Sequence, residues 1–273
     1  FAARGYTTRS LGKLHLTPHF AGLSPPAAKY GFAESHITED PRGGEWLDWI
    51  RETAPEAFDD ALATCWSPEL PGFASYGAHH EDLGARIRRI RESYRWGGDR
   101  HPDSTDEAYL LPFAEELSQT AWITDHACGI VERTPGQQRL FLQASYVQPH
   151  GPSCPPEEYL DRVREDRIPP ALPAEWREES PPPGYFARLM DPANSRDKKK
   201  RVDPSHKRRL FFADLAHLDD RIGALLNTIT DHRASERTMI VFVADHGELL
   251  FDHGFVGKSE RHYDACVRVP LIL

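Results

Sequence analysis

The residues best suited to chemistry lie where apolar runs stop. Residues 239–244 form a short continuous apolar run that ends at Asp245-His246-Gly247. This pattern predicts a buried strand delivering a carboxylate and an imidazole to its carboxyl end, where open α/β sheets place their ligands. Asp oxygen and His nitrogen are both metal ligands, and Gly247 lets the backbone turn sharply behind them. Lys13 and His15 alternate within Leu11-Gly12-Lys13-Leu14-His15-Leu16, so an extended backbone puts them on one face. An ammonium and an imidazole side by side suit anion binding or proton transfer; an edge strand with a polar outer face is the simpler reading of that pair alone. Residues 139–146 read as a second buried strand, running into Val147-Gln148-Pro149-His150-Gly151-Pro152. A loop histidine is most simply a surface residue. The repeat of a histidine after a strand, in a loop stiffened by prolines, singles out His150.

These ends need a sheet and helices to position them. Residues 210–232 carry an apolar stripe of Phe211, Leu215, Leu218, Ile222, Leu225 and Ile229, the pattern of an amphipathic helix. That helix feeds residues 239–244, giving the strand, long helix, strand order of a parallel α/β sheet. Asp219 and Asp220 point about 100° apart on it and belong mainly to its solvated side. Residues 117–133 read as another helix. In residues 79–96, Leu83, Ile87, Ile90 and Tyr94 follow helical spacing; Arg86, Arg88, Arg89, Arg91 and Arg95 form a solvated face rather than a polyanion site. A short strand is expected over residues 6–10, and another in Cys266-Val267-Arg268-Val269-Pro270-Leu271-Ile272-Leu273. Residues 1–4 look like a last helical turn closed by Gly5, so the beginning of a domain is expected to be absent. Residues 21–77 read as loop-rich cover with short helices such as 45–52. Residues 153–205 read as a proline-rich excursion containing Pro181-Pro182-Pro183 and the basic run 198–201.

A chain of 273 residues with 39% hydrophobic and 27% charged residues fits a soluble globular protein with a sizeable core. Its formal charge of -9 argues against a general nucleic-acid binder but leaves room for a small anion held by local cations. No window is long or apolar enough to span a membrane. Cys65, Cys128, Cys154 and Cys266 lack CxxC spacing, so free thiols are expected rather than a zinc knuckle or a disulfide framework.

Gly5-Tyr6-Thr7-Thr8, Gly12-Lys13-Leu14-His15, Pro149-His150-Gly151-Pro152, Leu218-Asp219-Asp220-Arg221-Ile222-Gly223, Asp245-His246-Gly247-Glu248 with His253-Gly254 and Lys258, and Arg268-Val269-Pro270 together resemble type I sulfatases. These belong with phosphonate monoester hydrolases in the alkaline phosphatase superfamily, and the blocks occur in the family's order over most of the chain. The resemblance implies an α/β fold with a mostly parallel central sheet flanked by helices, truncated at both ends. Residues 1–273 would form part of one catalytic domain, with 21–77 and 153–205 as loop-rich insertions. It also implies a Cys or Ser in a Cys/Ser-x-Pro-x-Arg motif, oxidised to formylglycine. No such motif occurs in this sequence, and the nucleophile and early paired aspartates are expected upstream, leaving an internal fragment that is inactive alone.

Carried over, Asp245 and His246 would be metal ligands, with His246 where many sulfatases have Asn. Lys13 would hold the formylglycine diol and substrate oxygens, and His15 would help deprotonate the diol. His150 and Lys258 would bind the transferred group and assist protonation of the leaving alcohol, while His253 would support the Lys258 loop. The expected cofactor is a divalent metal, calcium foremost, with manganese or zinc the alternatives that an imidazole ligand suggests. The expected partner is a small anionic ester, with no nucleic acid and no membrane. A sulfate ester is the leading substrate class, a phosphonate monoester or phosphodiester the alternative, and an inactive anion-binding module the rival of another kind.

Overall fold

A computed structural model describes residues 1–19, 22–23, 30–93, 108–174, 203–232, 237–258 and 262–273. The chain divides into two compact units, Phe1–Arg162 with Leu210–Glu236, and Val163–Arg209 with Arg237–Leu273.

The first unit is built on a parallel sheet of β1 (Thr7–Gly12), β2 (Glu34–Ile37) and β3 (Leu140–Ser145) in the order β2-β1-β3. Parallel pairing aligns the three carboxyl ends, with Gly12 opposite both Ile37 and Ser145. The edge-strand reading of the Lys13–His15 region is therefore corrected: β1 is central and hydrogen-bonded on both sides. Its strand stops at Gly12, whose φ of +81° and close approach to Ser145 leave no room for a side chain; an added Cβ would sit 1.9 Å from the Ser145 carbonyl oxygen. His15, at φ 47°, breaks the simple alternation expected of it. β3, expected to be buried, is half-buried along its length; among the described residues it pairs with β1.

Helices α1 (Glu45–Thr53), α2 (Phe58–Thr64), α3 (Pro71–Ala74), α4 (Leu83–Ser93) and α5 (Gln119–Arg133) supply most of the core. Trp46, Leu47, Ile50, Leu62, Phe73, Leu83, Ile87, Ile123 and Ile130 are buried together against Leu11 of the central strand. Each such side chain contributes about 1.5–3 kcal/mol on burial. Within 21–77, then, the described residues hold a strand and three helices whose apolar side chains reach the core. Short segments hide this from periodicity analysis, since runs of four to nine residues give too few repeats to establish a period. The Ser118 side chain caps α5 by accepting from the Ala121 N–H, a contact of the kind that starts helices. On α4, Arg86 pairs with Asp59 and Glu81, while Arg91 donates to the carbonyls of Ala63 and Cys65. Those guanidiniums are spent on local structure, and Arg95 lies outside the described residues. The long helix α6 (Pro204–Asp231) contributes Leu210 and Ala213 to this unit's interior. Asp220 on its outer side pairs with Arg162. Residues 1–5 form the expected turn closed by Gly5 at φ 78°.

In the second unit, β4 is only Phe242–Val243 and pairs antiparallel with β5 (Leu271–Ile272). Residues 239–244 are therefore not the buried parallel strand expected: Met239 is 84% and Val243 58% exposed. A continuous apolar run marks a segment suited to a sheet but does not select its partner or direction. Likewise residues 266–273 split into the end of α7 (Asp264–Val267) and β5, since the short helix turns the chain back towards β4. A small core of Leu249, Phe255 and Cys266, joined by Tyr263 and Ala265, holds the loop after β4. All four cysteines are free thiols, and Cys65, Cys154 and Cys266 are buried. No helix among the described residues is long and apolar enough to cross a membrane. The runs 181–183 and 198–201 lie outside the described residues.

Candidate active site

Three adjacent parallel strands each deliver a polar group just past their carboxyl ends: Lys13 and His15 after β1, Glu39 and Asp40 after β2, His150 after β3. Asp40 is the hub. Its side chain is 4% exposed, with Oδ1 3.2 Å from Lys13 Nζ. Its Oδ2 lies 3.8 Å from His15 Nδ1, 3.5 Å from His19 Nε2 and 3.7 Å from His150 Nε2. Burial alone would raise the Asp40 pKa, but the His19 contact and the charges of His150 and Lys13 outweigh it and hold the carboxyl well below its ordinary range. Asp40 thus stays ionised and fixes the groups around it. Glu39, 1% exposed, accepts from the backbone N–H groups of Leu14 and His15 through Oε1. Burial, only partly offset by those bonds, raises its pKa. Trp66 donates to the Asp40 carbonyl and stacks on His150 with ring centres 6.4 Å apart, forming an aromatic wall.

The loop carrying His150 is braced from beneath. Arg42, buried and at φ 65°, donates to the Pro152 carbonyl at 2.8 Å. Asp214 of α6, fully buried, accepts from the Cys154 N–H at 3.0 Å. Burial pushes the Asp214 carboxyl up to about 8 despite the nearby Arg42 charge and the Cys154 N–H.

In the second unit, Asp245 and His246 are brought together with Lys258. Asp245 Oδ2 is 3.5 Å from His246 Nε2. His246 donates through Nδ1 to the Gly247 carbonyl at 2.8 Å, which directs the Nε2 lone pair outward, the arrangement metal-binding histidines use. Lys258 Nζ lies 2.6 Å from that Nε2, so a cationic group already stands against the donor pair. Carboxylate oxygen and imidazole nitrogen at this spacing fit two ligands of one divalent cation. The Lys258 loop is held by Glu248, which accepts from the Gly257 N–H. Gly247 is required here: a Cβ would lie 1.8 Å from the Ala265 carbonyl oxygen. His253 stacks on Tyr263, 4.3 Å between ring centres, and its backbone N–H bonds to Leu172.

The groups predicted from sequence thus form two constellations: Lys13, His15 and His150 in the first unit, and Asp245, His246 and Lys258 in the second. Sequence reasoning missed Asp40, Glu39, His19, Trp66, Arg42 and Glu248. The signal available for Glu39 and Asp40 was their place directly after β2, a strand too short to announce itself.

The sequence model of the sulfatase family matches residues 1–273. The chain belongs to the sulfatase family. This sulfatase-family chain is 24% identical over 277 residues to an arylsulfatase of Clostridium perfringens, covering all of this chain and 50% of that protein. It is 29% identical over 187 residues to human iduronate 2-sulfatase, covering 64% of this chain and 34% of the relative. Among solved structures it is similar to the phosphonate monoester hydrolase of Agrobacterium radiobacter, with a TM-score of 0.63 and 19% identity over 99% of this chain and 50% of that one. That likeness establishes the fold: α/β, a parallel sheet flanked by helices. The chain spans about half the length of the arylsulfatase it matches.

Proposed function

We propose that this chain is the central part of a metal-dependent sulfuric ester hydrolase. The observation that carries the reading is the convergence of Lys13, His15 and His150 on the single carboxylate of Asp40. Side chains able to surround one anionic group from two strand ends can also surround an anionic ester. Asp245 and His246 would hold the divalent cation, calcium foremost and manganese or zinc as alternatives. The cation supplies Lewis-acid polarisation of the ester, and formylglycine, which the family resemblance assigns upstream of these residues, supplies the nucleophilic diol. Lys13, oriented by Asp40, binds the diol and the ester's anionic oxygens. His15, exposed beside it, would serve as the base for the diol's second hydroxyl when sulfate is expelled. His150, gripped between Asp40 and Trp66, would donate hydrogen bonds to the transferred group, and the family resemblance gives Lys258 a part in binding that group and protonating the leaving alcohol. Charge grows on the equatorial and leaving oxygens during the transfer, so fixed cations and imidazoles around them stabilise the transition state more than the ground state.

A phosphonate monoester or phosphodiester is the second reading, favoured by the fold shared with phosphonate monoester hydrolases from Agrobacterium radiobacter and Silicibacter pomeroyi. Both ester classes present tetrahedral anionic oxygens to the same groups. The deciding experiment assays the complete protein side by side on an aryl sulfate, a phosphonate monoester and a phosphodiester, with calcium and with manganese. Highest kcat/KM on the aryl sulfate is expected. Preference for either phosphorus ester selects the second reading, and turnover of none identifies an inactive anion-binding module.

A further inference from the structure

Of the groups around Asp40, His19 and Glu39 have no part in holding the ester. We propose that His15, His19 and Glu39, completed by Asp40, form a binding site for a first-row transition-metal ion, with zinc the best match, built from residues other than Asp245 and His246. One ligand atom from each of His15, His19 and Glu39 lies within 4.8 Å of the other two. His15 Nδ1 is 3.8 Å from both Glu39 Oε2 and Asp40 Oδ2, and His19 Nε2 is 3.5 Å from Asp40 Oδ2. A tetrahedral ion with bonds of about 2.0–2.1 Å holds neighbouring ligands roughly 3.3 Å apart. The set therefore needs only modest contraction, within reach of side-chain rotation at the exposed His15.

A second observation points independently to a cation. Glu39 is buried, with Oε1 occupied by two backbone N–H groups, yet its Oε2 has no hydrogen-bond partner among the described residues. A buried carboxylate oxygen left in this way is costly, and His15 Nδ1 faces it at 3.8 Å. A metal ion between them satisfies the oxygen and both imidazoles at once. Lys13 pairs with Asp40 Oδ1, while Oδ2 already faces His15 and His19, with His150 beside it, and is the fourth ligand. Two imidazoles with carboxylates select zinc, and cobalt as its spectroscopic substitute, over calcium or magnesium, which prefer oxygen. His15, with its side chain 52% exposed, gives the ion access from solvent.

The test titrates the complete protein, stripped of metal, with zinc by calorimetry and with cobalt by visible absorption, in an Asp245→Ala/His246→Ala background that removes the other donor pair. One equivalent of zinc, with the intense ligand-field bands of tetrahedral cobalt, is the expected result. Adding Glu39→Gln, which keeps the shape and the backbone-accepting oxygen, should weaken zinc at least 10-fold and abolish the cobalt bands; His19→Ala should do the same. Unchanged binding in the Glu39→Gln protein, or no binding in the background variant, overturns the proposal. Because no turnover is measured, the outcome is separate from that of the ester-hydrolase reading.

Discussion

Arg42 donates to the carbonyl of Pro152 across 110 residues of sequence, at 2.8 Å. This bond ties the turn after β2, which carries Asp40, to the turn after β3, which carries His150. Arg42 is also the cation beside the buried Asp214. Removing it would break that bond and leave the buried Pro152 carbonyl without its Arg42 donor, a change that typically costs about 1–3 kcal/mol. Arg42→Ala is therefore expected to lower the unfolding free energy of the chain by that order in urea titration. A loss below about 1 kcal/mol would mean the brace is not structural.

Asp214 makes stability depend on pH in a definite sense. Its folded pKa of about 8 lies above the ordinary carboxylate value of about 3.9. The folded chain thus holds a proton that the unfolded chain releases between those values. The stabilisation tied to that proton is complete below about pH 4 and is lost as pH rises through 8, with a limiting slope of about 1.4 kcal/mol per pH unit. Asp214→Asn removes this term. Melting temperatures measured from pH 5 to 8.5 should fall less steeply in the variant, and identical slopes would contradict the assignment.

Gly12 and Gly247 are close-approach positions, with a Cβ falling 1.9 Å from Ser145 and 1.8 Å from Ala265 carbonyl oxygens. Gly5 has a similar positive φ to Gly12 but open space around it. Gly5→Ala should cost about 1–2 kcal/mol, the left-handed backbone penalty alone. Gly12→Ala and Gly247→Ala should each cost clearly more, seen as a larger drop in melting temperature or as loss of soluble protein. Equal effects at all three positions would refute the steric argument.

Lys258 and Arg86 separate a reaction-centre cation from a structural one. In the complete protein, Lys258→Ala should lower kcat/KM on the preferred ester by about 10²–10³-fold, the usual effect of deleting one charge-stabilising donor. Arg86→Ala, which removes pairs to Asp59 and Glu81, should leave turnover within about 2-fold. Comparable losses at both positions would put the reaction elsewhere.

Much was legible before folding. Long helices announced themselves because a stripe such as Phe211 to Ile229 repeats enough times to define a period. His150 stood out because it follows an apolar run, and Lys13 and His15 because they alternate on an extended stretch. Short elements were opaque. The four-residue β2 carried no detectable pattern, so Glu39 and Asp40, directly behind it, went unnoticed although they organise the first constellation. The apolar run 239–244 was legible as sheet-forming, but its partner was not: only the folded chain sets Val243 antiparallel to Leu271.

The sequence by itself determined the family, the residue types at the strand ends and the glycines that let backbones approach, since these follow from local composition and ordered motifs. Tertiary structure alone decided that Lys13, His15, His19 and His150 meet at Asp40, and that Glu39 is buried with one oxygen unpaired by hydrogen bonds. The reason is geometric. A parallel sheet brings residues far apart in the chain to within 4 Å at its carboxyl edge, and which ones meet depends on strand order and register.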